Sequence, residues 1–221
     1  MIDWSWLVDH LGAIGYRTVQ HVCLAAIAVG IGFAVSFGLS IWAVRWRRVY
    51  PPVTAISGIL YTIPSLALFA ALVPITGLTI VTAEVPLILY TLLIFVRNIV
   101  AGFDTVPAEV LEAADGMGHS RGQRLRRVEL PLAVPLVAAG VRLATVSTIG
   151  LVTISGTLGD NFGGLGFFIF EGYRHGFPTE IYAGAIPSIV LALAADVALV
   201  RLQRRMTPWA SIPPTRPGVP T

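Results

Sequence analysis

The chain has 221 residues, of which 55% are hydrophobic and only 12% are charged, and its mean hydropathy is +0.78. A water-soluble domain carries about 25% charged residues, so this composition excludes an ordinary soluble protein. Because apolar runs of about 20 residues can cross the hydrocarbon core of a bilayer, the sequence predicts an all-α integral membrane protein.

The charged residues argue against a nucleic-acid partner, although the net charge is +3 and the isoelectric point is near 9.4. The arginines lie in short clusters between apolar runs, and clusters of this kind set the orientation of a membrane protein. The single cysteine, Cys23, lies inside an apolar run and is predicted to be a small core residue. No disulfide and no metal site are therefore expected.

Five membrane spans are predicted along the chain. In the first, Gly30, Gly32 and Gly38 allow close helix packing. In the second, Pro64 removes a backbone hydrogen bond and is predicted to kink the helix. The spans cover about residues 18–44, 53–74, 85–102, 132–157 and 181–200. Together they form a transmembrane domain over 18–206, preceded by an extracytoplasmic segment (1–17) and followed by a proline-rich, disordered cytoplasmic tail (207–221).

The arginines predict the orientation of these spans, because cytoplasmic segments are enriched in positive charge. The segments after the first, third and fifth spans share one side and carry most of the arginines. The opposite side holds only Arg17 and Arg174 outside the spans. The N-terminus is therefore predicted to lie outside and the C-terminus in the cytoplasm. The arginines of the cytoplasmic side are Arg45, Arg47, Arg48, Arg121, Arg124, Arg126, Arg127, Arg201, Arg204, Arg205 and Arg216.

A charged insert over residues 109–135 interrupts this apolar sequence. Pro107 and Glu109 suit the first turn of a short helix. Small and apolar residues at i, i+3, i+4 and i+7 then give that helix one apolar face. The residues of this face are Val110, Ala113, Ala114 and Met117.

The rest of the insert predicts a tight turn and a second helix. Gly116 and Gly118 supply helix breakers, and Ser120 with Gln123 has the form of a capping box that opens a helix through about Val128. A plain cytoplasmic loop would explain the arginines but not the acids, the alanine pair or the glycine turn. The insert is therefore interpreted as a surface on which another protein docks.

The insert contains a spaced pattern that includes alanine, glycine and proline residues. Its members are Glu112, Ala113, Ala114, Gly118, Val128, Leu130 and Pro131. These residues resemble the EAA loop of ABC importer permeases, EAA-x3-G-x9-I-x-LP, and the one departure is Val128 in place of isoleucine. The resemblance extends over roughly residues 16 to 206. It implies a type I permease fold in a bacterial cell membrane, with coupling helices that sit in a groove of a separate ATPase subunit.

The resemblance also implies which partners and cofactors are needed. The chain has no G-x4-GK[ST] signature, so ATP and Mg²⁺ are expected on the partner ATPase, and no cofactor on this chain. Five spans are too few to enclose a gated pore, so a second permease is expected, either an identical copy or a sibling. A substrate-binding protein is expected as another polypeptide. No catalytic residue is predicted, and a membrane enzyme is disfavoured because H-E-x-x-H and G-x-S-x-G are absent.

Other stretches, such as "YTIPSLALFAALVPITGL" and "GAIPSIVLALAADVALVRLQRRMTP", resemble the osmoprotectant permeases. This branch transports glycine betaine, choline, carnitine or proline betaine. A permease for another small solute such as an amino acid, or a channel outside the ABC class, is the alternative. A channel would need no docking loop.

The candidate residues of the transport pathway lie before and after the charged insert in the sequence. The stretch "LGDNFGGLG" departs from the family's usual sequence, but Gly163 and Gly164 remain candidates for an extracellular gate. Asp160 either attracts a quaternary ammonium group or is simply solvated, and solvation is favoured. Together with Pro64, the other pathway candidates are Arg97 and Arg142.

Charged and polar residues within the spans are candidates for a functional role. Three alternatives are open for Arg97 and Arg142: they line the inner pathway, they snorkel to the membrane surface, or they brace the coupling helices. Bracing or snorkelling is favoured, because a fixed positive charge would hinder a cationic substrate. Asp196 is a candidate partner for one of these arginines, and His21 is expected to be a packed polar residue.

Overall fold

The computed structural model describes residues 2–159 and 162–208, and within these ranges the chain is helical. Short helices at the N-terminus and in the loops accompany long helices that are joined by tight connections. The helices are α1 (Trp4–Asp9), α2 (Leu11–Arg45), α3 (Tyr50–Thr62), α4 (Ser65–Thr76), α5 (Ile80–Asp104), α6 (Ala108–Gly116), α7 (Arg121–Arg124), α8 (Leu130–Ser155), α9 (Gly166–His175) and α10 (Pro178–Met206).

The predicted spans are confirmed in number when the bent helix pair is taken as one span. Among the described residues, four helical segments are long and apolar enough to cross a membrane, and α3 with α4 forms a bent pair that passes the same test. The helices extend beyond the predicted spans. For example, α2 begins at Leu11 rather than near Thr18.

The second span is broken rather than merely kinked at Pro64. Helix α3 ends at Thr62, α4 begins at Ser65, and the two segments are bent by 91°. The backbone is extended at Ile63 (φ −65°, ψ 128°), as expected for a residue that precedes proline. The predicted disturbance at Pro64 is therefore confirmed, and it is larger than a kink.

Helix α5 is the centre of the bundle and packs on both α2 and α8. Its residues Phe95, Ile99 and Phe103 form a buried cluster with Ala133 and Ala144 of α8. Small residues let the backbones approach each other, as is usual between membrane helices. A Cβ atom at Gly140 of α8 would lie 2.6 Å from Cβ of Asn98.

The expectation of close packing holds for only one of the three glycines of α2. A Cβ atom at Gly32 would overlap the side chain of Thr91, whereas nothing lies within 4 Å of one at Gly30 or Gly38. The prediction for Cys23 is wrong, because its side chain is exposed on the outer surface of α2. Periodicity alone did not distinguish the two faces, since nearly all residues of this helix are apolar.

The loop before the last span is more helical than its glycine content suggests. Helix α9 (Gly166–His175) follows the glycines and ends at Gly176, where the backbone is left-handed (φ 64°). The N-terminus packs against this region, since the Trp6 ring lies edge-on to Phe168 and Phe177. The backbone N–H of Asp3 also donates to Oγ1 of Thr179, at 2.9 Å.

We expect Gly140→Ala to destabilise the bundle, because the new methyl group would meet a Cβ atom that cannot rotate away. Overpacking of this kind costs about 1–3 kcal/mol and should lower the unfolding temperature of the purified permease by several degrees. Gly30→Ala is the matched control, since its methyl group would meet nothing and alanine favours helix. Equal unfolding temperatures for the two variants would contradict this account of α5–α8 packing.

Candidate functional site

The EAA stretch lies on a helix, α6, that ends in a glycine turn. After Met117, the backbone of Gly118 is left-handed (φ 78°). The N–H of His119 donates to the carbonyl of Ala114 at 3.2 Å, and the N–H of Gly118 donates to that of Asp115 at 2.9 Å. These two bonds are a Schellman motif, in which glycine is favoured because it has no Cβ atom.

Helix α6 turns one alanine of the EAA triplet inward and the other outward. Ala114 is 1% exposed and packs against the chain itself. Most of the helix is exposed, including three of the four residues of the predicted apolar face. The exposed residues, three of them acidic, are Ala108, Glu109, Val110, Glu112, Ala113, Asp115, Gly116 and Met117. The free surface of α6 therefore combines small apolar residues with acids.

The predicted capping box is confirmed at the next helix. The N–H of Gln123 donates to Oγ of Ser120, and the Gln123 side chain accepts from the N–H of Ser120. The second helix does not stop near Val128, however. A π-helical turn over Leu125–Glu129 carries α7 without interruption into α8. Pro131 and Pro135 withhold two backbone donors just beyond this turn, and such wide turns accommodate local irregularities.

Arg124 connects the short helix to the start of the long one. Its Nη1 lies 2.6 Å from Oδ2 of Asp115 in α6, and its Nε lies 2.8 Å from Oε1 of Glu129. Leu130 packs beside the aromatic cluster of α5, and Val128 and Pro131 are half-buried. The residues of the EAA pattern are therefore joined to the bundle by both ion pairs and apolar contacts.

The intramembrane arginines differ in their partners. Arg142 of α8 and Asp196 of α10 form a two-pronged ion pair, with Nε–Oδ1 at 2.5 Å and Nη2–Oδ2 at 3.0 Å. The expectation that Asp196 pairs with one of the two arginines is confirmed. Arg97 is exposed on α5 and forms no ion pair within the described part of the chain.

The glycines of the candidate gate pack against His21 of α2. A Cβ atom on Gly164, whose φ is 50°, would lie 3.0 Å from the His21 side chain, and one on Gly163 would lie 2.7 Å from Cα of Gly156. The His21 Nδ1 accepts from the N–H of Leu165 at 3.3 Å, so its Nε2 donates to the carbonyl of Ile149 at 2.9 Å. His21 is the packed polar residue that was expected. Asp160 lies outside the described residues.

A cavity of about 460 Å³ lies beside the break at Pro64. Tyr61 of α3 and Tyr90 of α5 meet there edge to face, with ring centroids 5.7 Å apart. Because 28 residues separate these tyrosines, their contact depends on how α3 packs on α5. Nothing short of the helix geometry could have predicted the pair.

Glu84 is a second residue that the sequence interpretation missed. It lies on α5, is only 7% exposed, and neither carboxylate oxygen makes a hydrogen bond to the described chain. An ionisable group inside a span is a functional candidate by default. A search for acids within apolar runs would have found it in "VTAEVPLILY".

Comparison with known families and curated proteins gives a consistent assignment. Residues 24–208 match the family described as binding-protein-dependent transport system inner membrane component. The chain is 36% identical over 204 residues to the choline transport system permease protein OpuBB of Bacillus subtilis, covering 92% of this chain and 93% of that one. It is 35% identical over 208 residues to the osmoprotectant import permease protein OsmW of Salmonella typhimurium, covering 92% and 96%.

Solved structures show the same fold at lower sequence identity. An inward-facing structure of the MetNI methionine ABC transporter matches with a TM-score of 0.78 at 21% identity, over 90% of this chain and 98% of that one. An amino acid ABC transporter solved with histidines matches with a TM-score of 0.69 at 16% identity, over 93% and 99%. The all-helical arrangement is therefore that of an ABC importer type I permease.

We expect Asp196→Leu to destabilise the permease more than the double variant Arg142→Leu/Asp196→Leu. The single change leaves an arginine unpaired within a span, whereas the double change removes both charges. Unfolding temperatures measured in lipid nanodiscs would rank the two variants. A double variant at least as unstable as the single one would show that the pair itself stabilises α8 against α10.

Proposed function

Because the chain belongs to the family of binding-protein-dependent transport system inner membrane components, we propose that it is the permease of an ATP-driven importer of quaternary ammonium osmoprotectants. It is a transport subunit of the ABC class, and the proposal concerns its substrate, its partners and its coupling residues. The observation that carries the substrate is its 35–36% identity, over 92% of its length, to permeases named for choline and osmoprotectants.

The proposed solutes follow the names of the relatives with the higher sequence identity. Relatives at about 35% identity carry the names glycine betaine, carnitine and choline. The neighbours named for methionine and for an amino acid are 21% and 16% identical, a level that indicates only the fold. We therefore favour quaternary ammonium solutes, including glycine betaine, choline, carnitine and proline betaine, over amino acids.

The coupling role is supported by how α6 is joined to the bundle. Glu112, Ala113 and Gly118 lie on exposed positions that a partner can reach, while Ala114 holds α6 against its own chain. An ATPase subunit that closes on ATP would push α6, and Arg124 would pass that push to α8 through Asp115 and Glu129. Val128, Leu130 and Pro131 lie on the segment that receives it.

The proposed assembly contains two permeases, two positions for the ATPase and an extracytoplasmic binding protein. The second permease is an identical copy or a sibling, since five spans cannot enclose a pore alone. The arginine-rich end that includes α6 faces the cytoplasm and the ATPase. The N-terminus and the glycine gate over Gly163–Gly164 face the binding protein on the other side. The tail after Pro208 lies outside the described residues.

Uptake measurements test the proposed substrate class. In cells that express the permease with its ATPase and binding protein, we expect saturable, ATP-dependent uptake of radiolabelled glycine betaine or choline, and none of methionine. Omitting the ATPase should abolish uptake, because this chain carries no G-x4-GK[ST] signature. Uptake of methionine without any quaternary ammonium solute, or flux that needs no ATP, would overturn the proposal.

Adjacent alanines provide a matched test of the coupling surface. Ala113→Leu adds bulk to the free face, so we expect several-fold less ATPase to co-purify while the unfolding temperature of the permease is unchanged. Ala114→Leu adds the same bulk to a buried position and should lower the unfolding temperature, since overpacking costs about 1–3 kcal/mol. Full co-purification with the Ala113→Leu variant would place the ATPase contact elsewhere.

A further inference from the structure

The cavity beside the Pro64 break is the feature that the assigned function does not yet use. Its volume of about 460 Å³ falls within the range of small-molecule sites. The cavity is lined by both halves of the broken span, α3 and α4, and by the neighbouring helices α5 and α8. Tyr90 lies near the middle of α5, about 15 Å along the helix from Ile80 and about 21 Å from Asp104. The cavity is therefore at membrane depth, where transporters commonly hold their substrates beside discontinuous helices.

One wall of the cavity is aromatic. The Tyr61 ring is 42% exposed and stands edge to face against Tyr90 at 69°. The Tyr90 hydroxyl donates to the carbonyl of Ile63, so this ring is held in place. The faces of tyrosine rings attract cations, and quaternary ammonium groups are bound in proteins by such faces.

Another part of the cavity lining is polar, and three of its hydroxyl groups are unused. Thr148 of α8 is 1% exposed and lines the cavity, yet its hydroxyl makes no hydrogen bond to the described chain. Ser65 and Ser147 also line the cavity and likewise make none there. A hydroxyl group that lines a cavity without a protein partner is available to a ligand or to water.

Helix α4 has its N-terminus at the cavity, which is lined by Pro64 and Ser65. Its N-cap is Pro64, which provides no side-chain cap, so the first amide groups of a 12-residue helix have no intrahelical acceptor. Anions are favoured at such a position. Within the described chain no charged residue lines the cavity, so neither a cationic nor an anionic end of a solute meets a fixed like charge.

We propose that this cavity is a transport subsite for a zwitterion that carries a quaternary ammonium group and a carboxylate. Tyr61 and Tyr90 hold the ammonium end, while Thr148, Ser147, Ser65 and the first amides of α4 hold the carboxylate. The assignment rests on the proposed function and deepens it, because it predicts which solutes the permease itself prefers. Carboxylated solutes such as glycine betaine use both walls, whereas choline uses only the aromatic one.

Substitutions at two positions test the aromatic wall and the hydroxyl groups separately. Tyr61→Leu removes the aromatic face and should lower uptake of both glycine betaine and choline about tenfold, whereas Tyr61→Phe keeps the face and should stay within about twofold. Thr148→Val removes only a hydroxyl and should lower glycine betaine uptake about three- to tenfold while choline uptake changes less than about twofold.

Matched controls lie on the same helices or in similar surroundings. Tyr182→Leu removes an exposed tyrosine far from the cavity, and Thr145→Val removes a hydroxyl of α8 that already bonds to the carbonyl of Val141. Both controls should transport both solutes like the unmodified protein. Co-purification of the ATPase with each variant shows that the complex has assembled, and Thr148→Val tests the site independently if Tyr61→Leu does not assemble.

The possible outcomes distinguish the subsite from the proposed function. If the unmodified complex takes up neither solute, the proposed function and the subsite both fail. If it takes up both solutes and Tyr61→Leu behaves like Tyr182→Leu, the subsite is wrong and the proposed function stands. If Thr148→Val lowers the uptake of glycine betaine and of choline equally, the Thr148 hydroxyl does not bind the carboxylate.

Discussion

The arrangement of the membrane domain depends on which groups form hydrogen bonds with the backbone that the break at Pro64 leaves unpaired. A membrane interior offers no water to a free carbonyl group, so a broken helix survives there only where protein or a polar cavity provides partners. The hydroxyl of Tyr90 donates to the carbonyl of Ile63 and meets this requirement at the end of α3. The same bond fixes the Tyr90 ring beside Tyr61, so one interaction both permits the break and builds the aromatic wall. The amides at the start of α4 are left for a ligand or water.

Much of the fold could be predicted because its signals are local. Apolar length predicts the spans, the Ser120–Gln123 spacing predicts a capping box, and Gly118 predicts a left-handed turn, all of which the structure confirms. Hydropathy does not report which face of an apolar helix is buried, and Cys23 was placed wrongly for that reason. The orientation of α6 could not be predicted from the local sequence either. Ala113 and Ala114 are adjacent and chemically identical, but Ala113 is exposed and Ala114 is buried.

The parts of the site that could not be predicted are formed by residues distant in the sequence. Tyr61 and Tyr90 meet because α3 packs on α5, although 28 residues separate them in the sequence. His21 contacts Gly164 and Leu165 although more than 140 residues separate them in the sequence. Glu84 differs, since its position in an apolar run was visible in the sequence and only its lack of partners required the structure.

Helix α8 joins the two candidate sites, and its packing limits how it can transmit motion. Arg124 and the π-helical turn lie at its start, and Thr148 lies about 27 Å further along. Between them, the close approach of Gly140 to Asn98 and the Arg142–Asp196 pair hold α8 against α5 and α10. A helix held in this way moves as one body, whereas the irregular turn at Leu125–Glu129 can change its winding locally. If an ATPase pushes on α6, as we propose, the push either rewinds that turn or shifts α8 as a whole, and only the second movement would reach Thr148. The proposed coupling surface and the proposed subsite would then lie at the two ends of one rigid helix.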